Sequence, residues 1–358
     1  MSPAIYATLN PAKPYLIILL RGNAWLGKRV EVPTRFEHRL ACGVPRAGTG
    51  AQGFRGMGTS LTRSEGYIDV GPGSVWYESA GEGTPLLLLH GGPGASSDYL
   101  KPLMVLAKEG YRVVRYDQLG SYHSDKPDDV SLWNASRFVD ELETVRLALG
   151  FDTMHVLGQS WGSFLALDYA LRFPQHLRGL ILASGAASTA ECVAGMNSLR
   201  AQLPAEMVAT LDRYEANGEI DNPEYKAVID VLYHRHLCRL DPWPEVLQES
   251  SGRMAMPVYT TMWGPNEFTC TGNLQSWDRT DRLGEITTPT LITVGRYDEV
   301  VPSCAETMHR GIAGSRLVVF EESSHSAHLE EPKKYLEVVR TFLLEADRTA
   351  RMNSSRVG

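Results

Sequence analysis

The sequence predicts an α/β fold with a mostly parallel central sheet, and three observations carry that expectation. Short apolar runs alternate with amphipathic stretches; one run leads through a glycine-flanked serine into a helix; and about a hundred residues without a strand-like run interrupt the alternation once. The runs are 85–89, 111–116, 154–157, 180–183, 290–294 and 317–320, each short enough to be a buried strand. Between them, 136–149 repeats apolar residues at Phe138, Val139, Leu142, Val145 and Leu149, and 163–173 does so at Phe164, Leu167 and Leu171, the spacing of amphipathic helices. After Gly185 the pattern becomes helices around 192–202, 205–217, 222–238 and 243–250, joined by Pro, Gly and Asn. Such an insertion would cap one edge of the sheet, beyond the carboxyl ends of the strands, where open α/β sheets bind ligands. The expected organisation is a core over 66–185 and 284–345, a helical cap over 186–283 and a C-terminal tail over 346–358.

Composition narrows the function classes. The chain has 358 residues, 43% of them apolar, and a formal charge of −7. Its longest candidate for a membrane span, 15–20, is closed by Arg21, far short of the roughly 20 apolar residues a spanning helix needs. An acidic excess argues against nucleic acid as a partner, because phosphate binding needs clustered Lys and Arg. Cys42, Cys192, Cys238, Cys270 and Cys304 are odd in number, widely spaced and without a CxxC pair, which reads as a reducing, cytoplasmic setting rather than a disulfide framework or zinc site. Residues 1–64 differ from the rest: nine basic side chains against Glu31 and Glu37 give them a net +7 and leave the remainder at −14. Residues 1–65 are therefore expected to be a disordered or loosely attached extension; it is basic like an organelle leader but is not serine-rich as such leaders are.

The chemistry centres on Gly158-Gln159-Ser160-Trp161-Gly162, placed after the run 154–157 and before the helix from Ser163. A strand-to-helix turn this tight excludes side chains at the glycines and holds the serine hydroxyl free for attack. A serine nucleophile needs a histidine base and an orienting carboxylate, which in such folds follow in the order Ser, acid, His on loops after later strands. Asp298, in Gly295-Arg296-Tyr297-Asp298-Glu299, and His325, in Ser323-Ser324-His325-Ser326, fit that order. Asp298 has a rival reading as a turn former or helix cap, and His328 is the rival base, set further from its strand. His234 and His236, spaced i, i+2, fall on different helix faces and read as ordinary histidines rather than metal ligands. His90-Gly91-Gly92-Pro93-Gly94 follows the run 85–89, where a glycine loop lets a backbone N–H reach a substrate carbonyl; Gly92 and Trp161 are the expected oxyanion donors. Side chains carry every step, so no metal or organic cofactor is expected, and the oligomeric state is not written in these patterns.

Over about residues 66–345 the sequence resembles the proline iminopeptidase group of serine peptidases with the α/β-hydrolase fold. The resemblance rests on HGGPG at 90–94, Tyr116-Asp117-Gln118-Leu119-Gly120, GQSWG at 158–162, Gly264-Pro265-Asn266-Glu267-Phe268, the segment 293–299 and Ser324-His325. The cap segments 221–225 through Cys238-Arg239 and Pro242-Trp243-Pro244 are similar to bacterial L-amino acid amidases of that group. The resemblance implies cleavage after an unblocked N-terminal residue, expected to be proline, in small peptides or amides, with Glu267 and Glu299 holding the substrate's free amino or imino group. Carboxylates suit that task, since hydrogen bonds to a charged nitrogen in a partly dry pocket are the strong kind. A carboxylesterase or lactonase would use the same triad on an uncharged acyl group, and a non-catalytic receptor on this fold would not need it. The chain departs from the group at Tyr122 and His123, where relatives usually carry Gly and Arg.

Overall fold

The computed structural model describes residues 61–357. The expectation of a loose extension over 1–65 therefore lies, through residue 60, outside the described residues. Eight strands, β1 (Arg63–Asp69), β2 (Ser74–Ala80), β3 (Thr84–Leu89), β4 (Tyr111–Tyr116), β5 (Met154–Gln159), β6 (Leu177–Ala183), β7 (Thr290–Gly295) and β8 (Arg316–Phe320), form one sheet in the order β1-β2-β4-β3-β5-β6-β7-β8. All six expected runs are strands, and from β4 to β8 neighbours pair in parallel. Two antiparallel strands, β1 and β2, precede them and were not legible as apolar runs. For β1 the reason is exposure, since only Ile68 along it is buried and the edge strand is polar; β2 buries Val75, Trp76, Ser79 and Ala80 but mixes them with polar residues. Strand β1 also moves the start of the sheet from Gly66 to Arg63, which pairs with Ala80.

The helices are α1 (Ala135–Ala148), α2 (Trp161–Arg172), α3 (Thr189–Arg200), α4 (Ala205–Asn217), α5 (Pro223–His236), α6 (Glu245–Gly252), α7 (Met256–Met262), α8 (Pro302–Gly311), α9 (Ala327–Glu330) and α10 (Pro332–Val357). A 3₁₀ stretch, Ser97–Glu109, links β3 to β4. Successive residues of a strand face opposite sides, and β3 shows the result. Leu87 and Leu89 join the core under α1 and α2, while Leu86 and Leu88 join a second core with Ser97–Glu109 and α10. Helices α3 to α7 occupy the stretch between β6 and β7; four match the expected positions, and the short α7 is additional. Where a tail was expected over 346–358, the described residues 346–357 are instead the continuation of α10, with Ala346 and Asp347 buried, because the apolar face of that helix is still covering the sheet at this point. Among the described residues no helix is long and apolar enough to cross a membrane.

Candidate active site

Ser160 stands between β5 and α2 with φ 59° and ψ −126°, a left-handed conformation that an L-residue adopts at a cost of about 1 to 3 kcal/mol. The turn tolerates no side chain on either flank. A Cβ on Gly158 would lie 2.0 Å from the carbonyl oxygen of Gly162, and one on Gly162 would lie 2.2 Å from that of Leu89. Trp161 opens α2, so its N–H is one of the first-turn donors that lack an acceptor within the helix. Gly92, at φ 103°, lines the same pocket as Ser160 and Trp161.

The acid and histidine loops meet as expected. His325 Nδ1 donates to Asp298 Oδ1 at 2.7 Å, and both residues are buried. Asp298 Oδ1 also accepts from the Val300 N–H at 2.9 Å, so the turn-forming reading and the orienting reading hold for the same oxygen. The rival His328 is occupied elsewhere: its Nε2 donates to the Tyr99 carbonyl at 3.1 Å, and burial lowers its pKa to about 4. His236, at the end of α5, fastens both loops, because its carbonyl accepts from the N–H of Glu299 at 3.2 Å and of His325 at 3.0 Å. His234 pairs with the Asp230 carbonyl of its own helix at 3.0 Å and stacks on Trp243, as an ordinary histidine does.

A pocket opens at Ser160. Its polar wall includes Glu267 and Glu299, the two acids implied by resemblance; its apolar wall is Trp161, Phe164, Cys192, Met196, Trp263, Leu274 and Val300. Five of the apolar residues were not expected from the sequence: Cys192, Met196 and Leu274, because α3 and the loop after α7 reach the site only through the tertiary fold, and Phe164 and Val300, although they lie one helical turn after Ser160 and two residues after Asp298. Trp263 borders the Gly264-to-Phe268 motif, and that adjacency was a usable signal. Glu299 is fully buried and neither of its carboxylate oxygens has a hydrogen-bond partner; His325 Nε2 lies 3.6 Å from one of them. Burial raises the Glu299 pKa well above the ordinary carboxyl value, with the charges of Glu267 and Asp298 adding to it. Burial also raises that of Glu267, against a hydrogen bond with the Tyr259 hydroxyl. For His325, burial alone would lower the pKa, but Asp298, Glu299 and Glu267 together outweigh it and push it up to about 9.

Tyr122 and His123 do not line this pocket. His123 binds Asp117 at 2.8 Å and stacks on Trp76, while Tyr122 lies under the guanidinium of Arg253.

Comparison with known proteins gives the family. Residues 84–332 match the family model described as the alpha/beta hydrolase fold. The proline iminopeptidase of Saccharolobus solfataricus is 43% identical over 80% of this chain and 94% of its own length. That of Heyndrickxia coagulans is 42% identical over 78% and 98%. The crystal structure of proline iminopeptidase from Mycobacterium smegmatis superposes with a TM-score of 0.76 at 37% identity, covering 80% of this chain and all of that one. The chain therefore belongs to the proline iminopeptidase family of α/β-hydrolase serine peptidases.

Proposed function

We propose that this enzyme removes an unblocked N-terminal proline from small peptides or amides through an acyl-enzyme on Ser160. The observation that carries the reading is Glu299, buried beside Ser160 with both oxygens unpaired. A buried carboxylate without a hydrogen bond is costly. A substrate cation placed between Glu299 and Glu267 removes that cost, and the apolar wall of the pocket suits a pyrrolidine ring beside it.

His325 Nε2 takes the proton as Ser160 Oγ attacks the carbonyl carbon next to that ring. Asp298 holds the imidazole through Nδ1 and stabilises its cation. The N–H groups of Gly92 and Trp161 receive the oxyanion. The C–N bond then breaks, His325 returns the proton to the leaving amine, and water repeats the sequence to release proline. A cytoplasmic setting accords with Cys192, Cys238, Cys270 and Cys304, all unpaired thiols.

Turnover of a prolyl arylamide, its N-acetyl form and an aryl acetate tests the proposal. The free prolyl substrate is expected to be strongly preferred. Glu267→Gln or Glu299→Gln should lower its kcat/KM by about 10- to 150-fold, the value of a hydrogen bond to a charged group, without lowering turnover of the aryl acetate. Equal losses on both substrates, or preference for the acetylated form, would favour the esterase reading.

A further inference from the structure

One hydrogen-bond chain joins the glycine loop, the nucleophile turn and the histidine loop. The Gly91 N–H donates to the Tyr99 hydroxyl oxygen at 2.7 Å, and the Tyr99 O–H donates to Gln159 Oε1 at 2.6 Å. Gln159 Nε2 in turn donates to the carbonyl of His325 at 3.1 Å. Gly91 precedes Gly92, Gln159 precedes Ser160, and the last acceptor belongs to His325 itself. All of it is shielded from water: Gln159 is 3% exposed and Tyr99 5%.

The chain has one direction. A backbone N–H can only donate, so the Tyr99 oxygen accepts from Gly91 and its proton must go to an acceptor. That fixes Oε1 of the Gln159 amide toward Tyr99 and leaves the NH₂ group for the His325 carbonyl; the flipped amide would set acceptor against acceptor. Of the neighbouring side-chain types, glutamate lacks the donor, asparagine is one methylene short and methionine has neither group. The glycine loop packs against this bridge so closely that a Cβ on Gly91 would lie 3.2 Å from Gln159 Oε1 and 2.8 Å from Ser160 Cβ. Tyr99 is held from a second side as well, by His328 through its carbonyl.

We infer that Gln159 is a positioning residue that, with Tyr99, sets the distance between the oxyanion loop and the histidine loop around Ser160. It touches neither substrate nor the transferred proton. Its effect is on registration: oxyanion donors and base must converge on one carbonyl, and misplacement by about 1 Å costs up to about 100-fold in rate. The inference rests on the proposed roles of Ser160, His325 and Gly92.

The test compares Gln159→Glu, Gln159→Met, Tyr99→Phe, Tyr99→Phe/Gln159→Met and Ser160→Ala, each normalised to active sites titrated with a fluorophosphonate, or to folded protein for Ser160→Ala. On a prolyl arylamide, kcat per site is expected to fall about 10- to 100-fold in the Gln159 and Tyr99 variants with KM changed less than about threefold. The rate of fluorophosphonate labelling should fall in parallel, since it needs the nucleophile and oxyanion donors but not the amine site. The double variant should be no more than about threefold worse than the poorer single, because both break the same chain. A merely structural role would lower the number of titratable sites and leave kcat per site unchanged. That outcome, or independent multiplicative losses, would overturn the inference. If the Gln159 variants do not fold, Tyr99→Phe decides the matter by the same criteria. Activity retained by Ser160→Ala would instead overturn the underlying serine mechanism.

Discussion

Two buried histidine–aspartate pairs stand at opposite ends of the same sheet, and only one of them faces the candidate site. His325 and Asp298 lie on the loops beyond the carboxyl ends of β8 and β7, 2.7 Å apart. His155 is the second residue of β5, at its amino end, and its Nε2 meets Asp347 of α10 at 3.2 Å. All four residues are buried, so burial does not separate the pairs. What separates them is what surrounds each aspartate and what the second ring nitrogen faces. Asp347 also accepts from the Tyr111 hydroxyl at 3.2 Å and lies 3.3 Å from Arg178 Nε, so its charge is shared. The other nitrogen of His155 is walled in: a Cβ on Gly179 would come within 2.7 Å of it. Around His325 there are three carboxylates, and its free nitrogen lies 3.6 Å from Glu299 on the pocket wall. A histidine–aspartate pair becomes a candidate base through an open second nitrogen and an excess of negative charge, neither of which the pair itself supplies.

Replacing the two histidines is the severest way to break this comparison. His325→Gln should lower kcat for a prolyl arylamide by about 10⁴-fold, the loss typical of a triad member. His155→Gln should change it less than about threefold. Steady-state rates per folded enzyme decide; comparable losses in both variants would mean that the pocket-facing nitrogen is not what distinguishes the pairs.

A smaller effect sharpens the second half of the argument, the charge around His325. With its pKa pushed up to about 9, the imidazole of the free enzyme is mostly protonated at neutral pH and cannot accept the serine proton. For an uncharged aryl acetate, kcat/KM should therefore keep rising well above pH 7. Glu299→Gln removes one of the charges that favour the imidazolium, so the midpoint should move down toward the ordinary histidine value of about 6.5. A prolyl ammonium bound between Glu267 and Glu299 acts in the same direction, since a cation nearby disfavours a second one. The acid limb of kcat for the prolyl substrate should thus lie below that of the acetate. An aryl acetate profile indifferent to Glu299→Gln would show that this carboxylate carries no charge while the base is titrating.

The legibility of these features follows their range along the chain. The serine turn was readable because its glycines stand four apart around the serine, although only Gly158 is closed off by its own turn, while the backbone that excludes a side chain at Gly162 is that of Leu89. The acid and histidine were readable because each follows a strand at short range. By contrast, Tyr99 and Gln159 are 60 residues apart and Gln159 and His325 are 166 apart, so nothing near Gln159 in the sequence marks it as a bridge. The same holds for Cys192, Met196 and Leu274, apolar residues that look like any helix or loop interior until the fold turns them toward Ser160. Strand β1 escaped for the opposite reason, being so exposed that it lacks the apolar signature of a buried strand. The tail assigned at 346–358 hid Asp347, whose partners Tyr111, His155 and Arg178 all lie at least 169 residues away.

That aspartate supplies the mildest test. Burial works against its charge, but the His155 hydrogen bond and charge, Arg178 and Tyr111 together hold its pKa below the usual carboxylate value. A carboxylate whose folded pKa is depressed contributes stability above the unfolded value of about 3.9 and loses it as pH falls through the folded value. Asp347→Asn keeps the shape and removes the charge, so it should destabilise by about 1 to 3 kcal/mol at pH 7, seen as a lower urea midpoint. The gap between wild type and variant should begin to narrow below about pH 4, where the unfolded chain takes up the proton, and close only once the pH has passed the still lower folded value. Because this pair lies at the amino end of β5, away from the Ser160 turn, kcat and KM per folded enzyme should stay within about twofold. A large drop in kcat at unchanged stability would tie the two ends of the sheet together and remove the distinction between a pair that braces the fold and a pair that moves a proton.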